Sequence, residues 1–99
     1  MKTDPITEIS IDAAARLCIK PATQKFHMIW REGAEVHWDE KGHFLFSPKP
    51  REWSYLDWYQ HIIWVAEGYG NGVRLYVTIA TRWIDVPNEL KQQIIKMSF

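Results

Sequence analysis

Residues 25–46 decide the fold: Lys25-Phe26-His27-Met28-Ile29-Trp30, Arg31-Glu32-Gly33, Ala34-Glu35-Val36-His37-Trp38-Asp39, Glu40-Lys41-Gly42, His43-Phe44-Leu45-Phe46. Phe26, Met28 and Trp30 stand at alternate positions, then Val36 and Trp38, then Phe44 and Phe46. A period of two is the period of a strand with one buried face. Both interruptions, Arg31-Glu32-Gly33 and Glu40-Lys41-Gly42, are three residues long and end in glycine. That is the form of a hairpin loop with glycine in the left-handed position. The first loop sets Trp30 opposite Ala34, Met28 opposite Val36 and Phe26 opposite Trp38. The second sets Trp38 opposite Phe44 and Val36 opposite Phe46. All of these land on one face, and a slip of one residue would scatter them. The stretch therefore predicts a three-stranded antiparallel meander.

Helices are expected on both sides of it. Upstream, Ser10 can cap a helix with Asp12 in its first turn. Ile11, Ala14, Ala15 and Cys18 fall on one face, and Pro21 ends the element. Downstream, Ser47-Pro48-Lys49-Pro50-Arg51 is a stiff connection. Ser54 then caps a helix running to Glu67, with Asp57 placed for a capping box and Trp53 and Trp58 placed as a hydrophobic staple. Gly68, Gly70 and Gly72 punctuate its end. From Val73 to Ile84, apolar Val73, Leu75, Val77, Ile79 and Trp83 alternate with Arg74, Tyr76, Thr78 and Arg82, which predicts one long strand. Asp85 and Pro87 open a last helix with the stripe Val86, Leu90, Ile94 and Met97. The expected fold is α+β: an antiparallel sheet of about four strands packed by helices, in the order α-β-β-β-α-β-α.

Composition bounds the function. A chain of 99 residues is read as a single domain spanning 1–99. Twelve basic and 12 acidic residues cancel, which gives no electrostatic argument for nucleic acid or an anionic membrane. Zero net charge also opposes self-association weakly, so a homo-oligomer, a dimer in its simplest form, is expected. The single Cys18 cannot form an intramolecular disulfide, and the first residues lack the apolar run of a signal peptide; a cytoplasmic protein with no membrane span is expected. Cys18 itself reads as an inert core thiol.

Tryptophan is the compositional outlier, at 6 of 99 residues. On a helical wheel Tyr55, Trp58, Tyr59, Ile62, Ile63, Val65 and Ala66 share one apolar arc. Trp64 falls on the far side, among Asp57, Gln60 and His61. A large aromatic on a polar helix face is either covered by something or offered to something. Asp57 and His61 are four apart and can pair beside it. A second candidate lies on the far face of the meander. Its register sets His27 opposite His37 and His43 opposite Asp39, with Glu35, Ile29 and Leu45 nearby. Paired Cβ atoms on a sheet lie roughly 5 Å apart, a spacing at which two imidazoles can share a metal. No known ligand spacing accompanies them, so no metal and no cofactor is assigned. No serine has a nucleophile-elbow motif around it, and no catalytic residue is assigned.

Residues 10–47 resemble the winged helix-turn-helix of the MerR and excisionase families. Ser10-Ile11-Asp12-Ala13-Ala14-Ala15-Arg16-Leu17 resembles the first helix, Pro21-Ala22-Thr23 the start of the recognition helix, and Asp39-Glu40-Lys41-Gly42 the wing. The resemblance implies that Thr23, Gln24, Lys25 and His27 face the DNA major groove. In size and manner the chain also resembles the short proteins carried on mobile gene cassettes, which implies no activity. The leading expectation is a small binding or protein-interaction module that self-associates. It acts through Trp64, Asp57 and His61, or through an open sheet face with His27, His37, Tyr76 and Arg82. A winged-helix DNA-binding protein ranks second. An enzyme or metal-binding protein using the histidine and carboxylate face ranks third.

Overall fold

The computed structural model describes residues 2–27, 29, 35–69 and 72–98. Among them the chain forms β1 (Lys2–Ile11), β2 (Leu17–Pro21), β3 (His37–Asp39), β4 (Phe44–Phe46), α1 (Tyr55–Tyr69), β5 (Val73–Tyr76), β6 (Arg82–Ile84) and α2 (Asn88–Ser98). The protein is α+β, and its sheet is mixed rather than antiparallel. The order is β3-β4-β2-β1-β5, with β6 also on β1. β1 is antiparallel to β2 and parallel to both β5 and β6. One face of the sheet, with Ile9, Leu17, Ile19 and Leu45, shares a single core with Trp58, Tyr59, Ile62, Val65 and Ala66 of α1 and Leu90 and Ile94 of α2. The opposite face carries no helix among the described residues. Each fully buried aliphatic side chain contributes about 1.5–3 kcal/mol.

The expected first helix is instead a hairpin. Ile11 pairs with Leu17, and the five residues between them turn the chain. Asp12 organises that turn. Its Oδ1 accepts from the Ala14 and Arg16 amides at 3.0 and 2.9 Å, and its Oδ2 takes the Arg16 guanidinium at 2.7 Å. Ala15 adopts the left-handed region, φ 64°. Three consecutive alanines favour a helix, but Asp side chains hydrogen-bond the backbone just beyond them and so compete with helix for turn. Pairing with a ten-residue strand decides the contest. The winged-helix resemblance falls with this element, because Ser10–Leu17 is strand, turn and strand.

The meander is half present. The second hairpin forms between β3 and β4, but one residue out of the expected register: His37 pairs Phe46, Trp38 pairs Leu45 and Asp39 pairs Phe44. The reason lies in the loop. His43, not Gly42, takes the left-handed conformation (φ 55°), and His43 N donates to Asp39 O at 2.8 Å. Gly42 is needed for space: a Cβ there would run into the Phe44 ring. His43 therefore does not stand opposite Asp39. The expected first hairpin falls partly on residues 28 and 30–34, outside the described residues. Phe26 and His27 lie in a loop, and Ile29 N donates to Phe26 O at 3.2 Å in a tight turn. Phe26 still meets Trp38, with ring centroids 5.7 Å apart, though without a strand.

The long fourth strand is broken in two. Its two halves flank β1 end to end: Pro5 pairs Tyr76, and Glu8 pairs Arg82. Between these pairs two residues of β1, Ile6 and Thr7, oppose five of the partner, 77–81, and the excess loops out between β5 and β6. Thr81 pins the loop by donating its hydroxyl to Ile6 O at 2.7 Å, beside the β1 register shift. Ile79 is left fully exposed at the tip, where alternation had placed it inward. The two later helices match their patterns well. α1 buries Trp58, Tyr59, Ile62, Val65 and Ala66, and Trp64 is 60% exposed. In α2 Leu90 and Ile94 are buried, while Met97 is largely exposed.

Candidate functional site

The site begins with how α1 starts. Asp57 N donates to Ser54 Oγ at 3.1 Å, and Ser54 N donates to Asp57 Oδ2 at 3.2 Å, a reciprocal capping box. The Asp57 carboxylate is committed to this cap. Across it, Trp53 packs on Trp58 with centroids 4.8 Å apart and planes at 47°. The staple extends further than two residues. Both tryptophans meet His61 edge-on, at 5.1 Å and 82° for Trp53 and 5.6 Å and 76° for Trp58. His61 in turn stacks on Trp64 at 6.0 Å and 26°. Trp58, His61 and Trp64 are three residues apart, so they follow one ridge of the helix.

Beside this row of rings opens a cleft of about 420 Å³. Glu35, Pro48, Lys49, Arg51, Glu52, Trp53, Trp58 and His61 line it. Its walls are aromatic, and its two basic side chains balance its two acidic ones. Trp58 is only 6% exposed, and its Nε1–H has no solvent access and no hydrogen-bond partner among the described residues. Indole nitrogen is a donor only, so an acceptor is what it lacks. Leaving such a donor unsatisfied costs about 1–3 kcal/mol.

A second aromatic group sits on the β3–β4 hairpin. Trp38 stacks on His43 (6.2 Å, 6°) and meets Phe26 and His27. Here the tryptophan donor is matched. Glu40 Oε2 accepts from Trp38 Nε1 at 2.8 Å and lies 2.8 Å from His27 Nδ1.

The structure separates the other expected site residues. His27 faces Glu40, not His37. His37 stacks on Phe46 at 5.3 Å, and Arg16 covers the same Phe46 ring at 4.3 Å. Glu35 lines the aromatic cleft, while Ile29 and Leu45 are in the core. Tyr76 lies on β5, four strand steps from β3, roughly 19 Å at about 4.8 Å per step. Arg82, on β6, lies 3.9 Å from Glu8. Among the described residues, no group of three or more His, Cys, Asp or Glu side chains stands close enough to hold a metal ion. Cys18 lies on β2 rather than on a helix. Burial, with help from the Asp12 charge, pushes its thiol up to about 11, so it is protonated at neutral pH. Of the expected residues, His61 and Glu35 line the cleft, Trp64 stacks on His61 beside it, and Asp57 caps the same helix. Trp58, Arg51, Lys49 and Glu52 were not expected there. The spacing of Trp58, His61 and Trp64 was the signal that could have found the row.

The family described as Integron Cassette Protein Hfx_Cass5 matches residues 4–81. The chain belongs to this integron cassette protein family. The matched stretch runs from β1 to the β5–β6 loop and contains every residue lining the aromatic cleft. A solved Hfx_Cass5 structure, from the mobile metagenome of the North West Arm Sewage Outfall, is 40% identical to the chain. The similarity covers 99% of this chain and 97% of that one, with a TM-score of 0.50. No curated protein matches. The family description gives a genetic origin and not a chemistry. Among the described residues, no helix of this Hfx_Cass5 family member is long and apolar enough to cross a membrane.

Proposed function

We propose that this chain is a binding protein that takes a small aromatic ligand in the cleft at the start of α1. Trp53, Trp58 and His61 form the walls, and Trp64 forms the rim. The observation that carries this reading is the continuous row of four rings beside a cleft of about 420 Å³. That volume lies in the range of ligand pockets, about 300–1,000 Å³. Aromatic walls offer a planar ligand stacked and edge-on contacts, each worth about 0.5–1.5 kcal/mol beyond area burial.

The test uses the indole N–H signals in a proton–nitrogen NMR spectrum. Two bicyclic probes of one shape, 1-methylindole and 1-methylbenzimidazole, are titrated separately. Binding in the cleft shifts the signals of Trp53, Trp58 and Trp64 and leaves Trp38, tied to Glu40, in place. If neither probe moves the three cleft signals selectively, the reading fails.

A second reading, self-association, rests on a different observation. Tyr76, Ile79 and Ile84 expose apolar side chains along the β5–β6 edge. Pairing of two such edges would cover them. Light scattering on the wild type and Ile79→Asp tests this: a dimer that the substitution dissociates supports the edge contact. A wild-type monomer at high concentration ends it.

A further inference from the structure

We infer that the ligand of the aromatic cleft is a neutral planar heterocycle with a hydrogen-bond acceptor on its ring edge, received by the Trp58 indole N–H. This rests on the binding reading above and adds the chemistry that selects the ligand. Three observations converge on it.

The first is the orphan donor. Trp38 Nε1 is satisfied within the fold by Glu40. Trp58 Nε1 is buried without a partner among the described residues. A ligand lacking an acceptor, such as a quaternary ammonium or a plain hydrocarbon, would leave it so. An acceptor in the plane of a ring would remove the penalty.

The second is charge. Lys49 and Arg51 face the same space as Glu35 and Glu52. A strongly anionic ligand meets two carboxylates there, and a strongly cationic one meets two cations. A neutral molecule meets neither penalty.

The third is shape. The ring planes of Trp53 and Trp58 stand at 82° and 76° to His61. A flat molecule can thus stack on one wall while its edge addresses another. The Trp58 nitrogen has no solvent access in the empty cleft, so a ligand edge reaches it only after a neighbouring ring gives way. In this inference Trp53 gives way: it packs on Trp58 at 4.8 Å and is 45% exposed.

The two NMR probes differ at one edge atom. 1-Methylbenzimidazole carries a ring nitrogen acceptor where 1-methylindole carries C–H, and neither has a donor. The expected result is that 1-methylbenzimidazole binds roughly two- to tenfold tighter, the worth of one net hydrogen bond. Its binding moves the Trp58 indole proton downfield, and 1-methylindole does not produce that shift. Trp58→Phe keeps an aromatic wall, removes the donor and abolishes the preference. Trp53→Ala weakens both probes and keeps the preference. Equal affinities for the two probes in the wild type, with both moving the cleft signals, would overturn the acceptor inference and leave the binding site standing. Selective shifts by neither probe would remove the site itself. The wild-type comparison needs no variant, so a Trp58→Phe chain that fails to fold does not shield the inference.

Discussion

The two aromatic groups of this protein are built from the same residue types and differ in what they leave over. On the β3–β4 hairpin, Trp38, His27 and His43 surround Glu40, whose single carboxylate oxygen meets both Trp38 Nε1 and His27 Nδ1. On α1, Trp53, Trp58, His61 and Trp64 form a longer row, and the buried Trp58 donor is unmatched. In the first group the tryptophan donor is already met within the fold, and the group reads as structure. The second has hydrogen-bonding capacity and apolar area to spare, beside an open cleft. Abundance of aromatic rings does not mark a binding site; unsatisfied chemistry does.

The largest effect expected from testing this contrast lies beneath the hairpin group. Asp4 is 1% exposed and accepts from Thr23 N, Thr23 Oγ1 and Gln24 N at 3.0, 3.0 and 2.8 Å. It ties β1 to the loop that carries Phe26 and His27. Asp4→Ala leaves those donors without their acceptor and should cost about 3 kcal/mol, read as a lower urea midpoint. A loss under about 1 kcal/mol would show that the hairpin group does not depend on this support.

A matched pair of substitutions probes the contrast directly. Trp38→Phe deletes a satisfied hydrogen bond to an exposed carboxylate and should cost about 1 kcal/mol. Trp58→Phe leaves a small void but also removes an orphan donor, two effects of about 1–3 kcal/mol that oppose each other. Its net change should lie within about 1 kcal/mol of zero, although Trp58 is the more deeply buried. If Trp58→Phe proves the costlier of the two, the Trp58 donor was satisfied after all.

Acid sharpens the picture at the base of α1, where Tyr55 Oη donates to Ala15 O at 2.9 Å and anchors the helix on the β1–β2 turn. Burial raises the Asp12 carboxyl, but the side-chain and backbone hydrogen bonds and the charge of Arg16, with the Ala14 amide, outweigh it. The pKa is held below its ordinary 3.8. A depressed carboxylate contributes stability above its unfolded pKa and loses it as pH falls through the folded value. Stability should therefore decline below about pH 4, and Asp12→Asn should start lower and decline less. Equal acid slopes in the two chains would remove Asp12 from this role.

The smallest stability effect belongs to the rim. Trp64→Ala should alter stability by no more than about 0.5 kcal/mol, as exposed substitutions do, while weakening 1-methylbenzimidazole binding. A large loss of stability would place Trp64 in the fold rather than in the site.

Much of the later half was legible from residue order. The α1 arc, its Ser54–Asp57 cap and the exposed position of Trp64 follow from helical periodicity and local hydrogen bonding, which act within a few residues. The earlier half was less legible. Ala13-Ala14-Ala15 with a leading Asp12 satisfies helix rules, and only pairing of β1 with β2, β5 and β6 shows the same residues to be a turn. The β3–β4 register slipped by one because His43, and not Gly42, took the left-handed position. Of the site, the sequence showed Trp64 and His61. The share of Trp58, Lys49, Arg51, Glu35 and Glu52 was not visible, because three separate segments meet there.

The sequence by itself determined an α+β fold, the second and third of the expected helices, a hairpin turning at Glu40-Lys41-Gly42 though not its register, and an aromatic stranded on a polar helix face. These rest on local periodicity and capping, whose partners lie within a few residues. Only the tertiary structure decided that β1 pairs parallel with both β5 and β6, that the long strand breaks at Thr78–Thr81, and which ring group keeps an unmatched donor. Those outcomes depend on contacts between residues far apart in the chain: Thr81 bonds to Ile6, and Glu35 shares a cleft with His61. No local pattern encodes such distances, because they exist only once the whole sheet has closed on its helices.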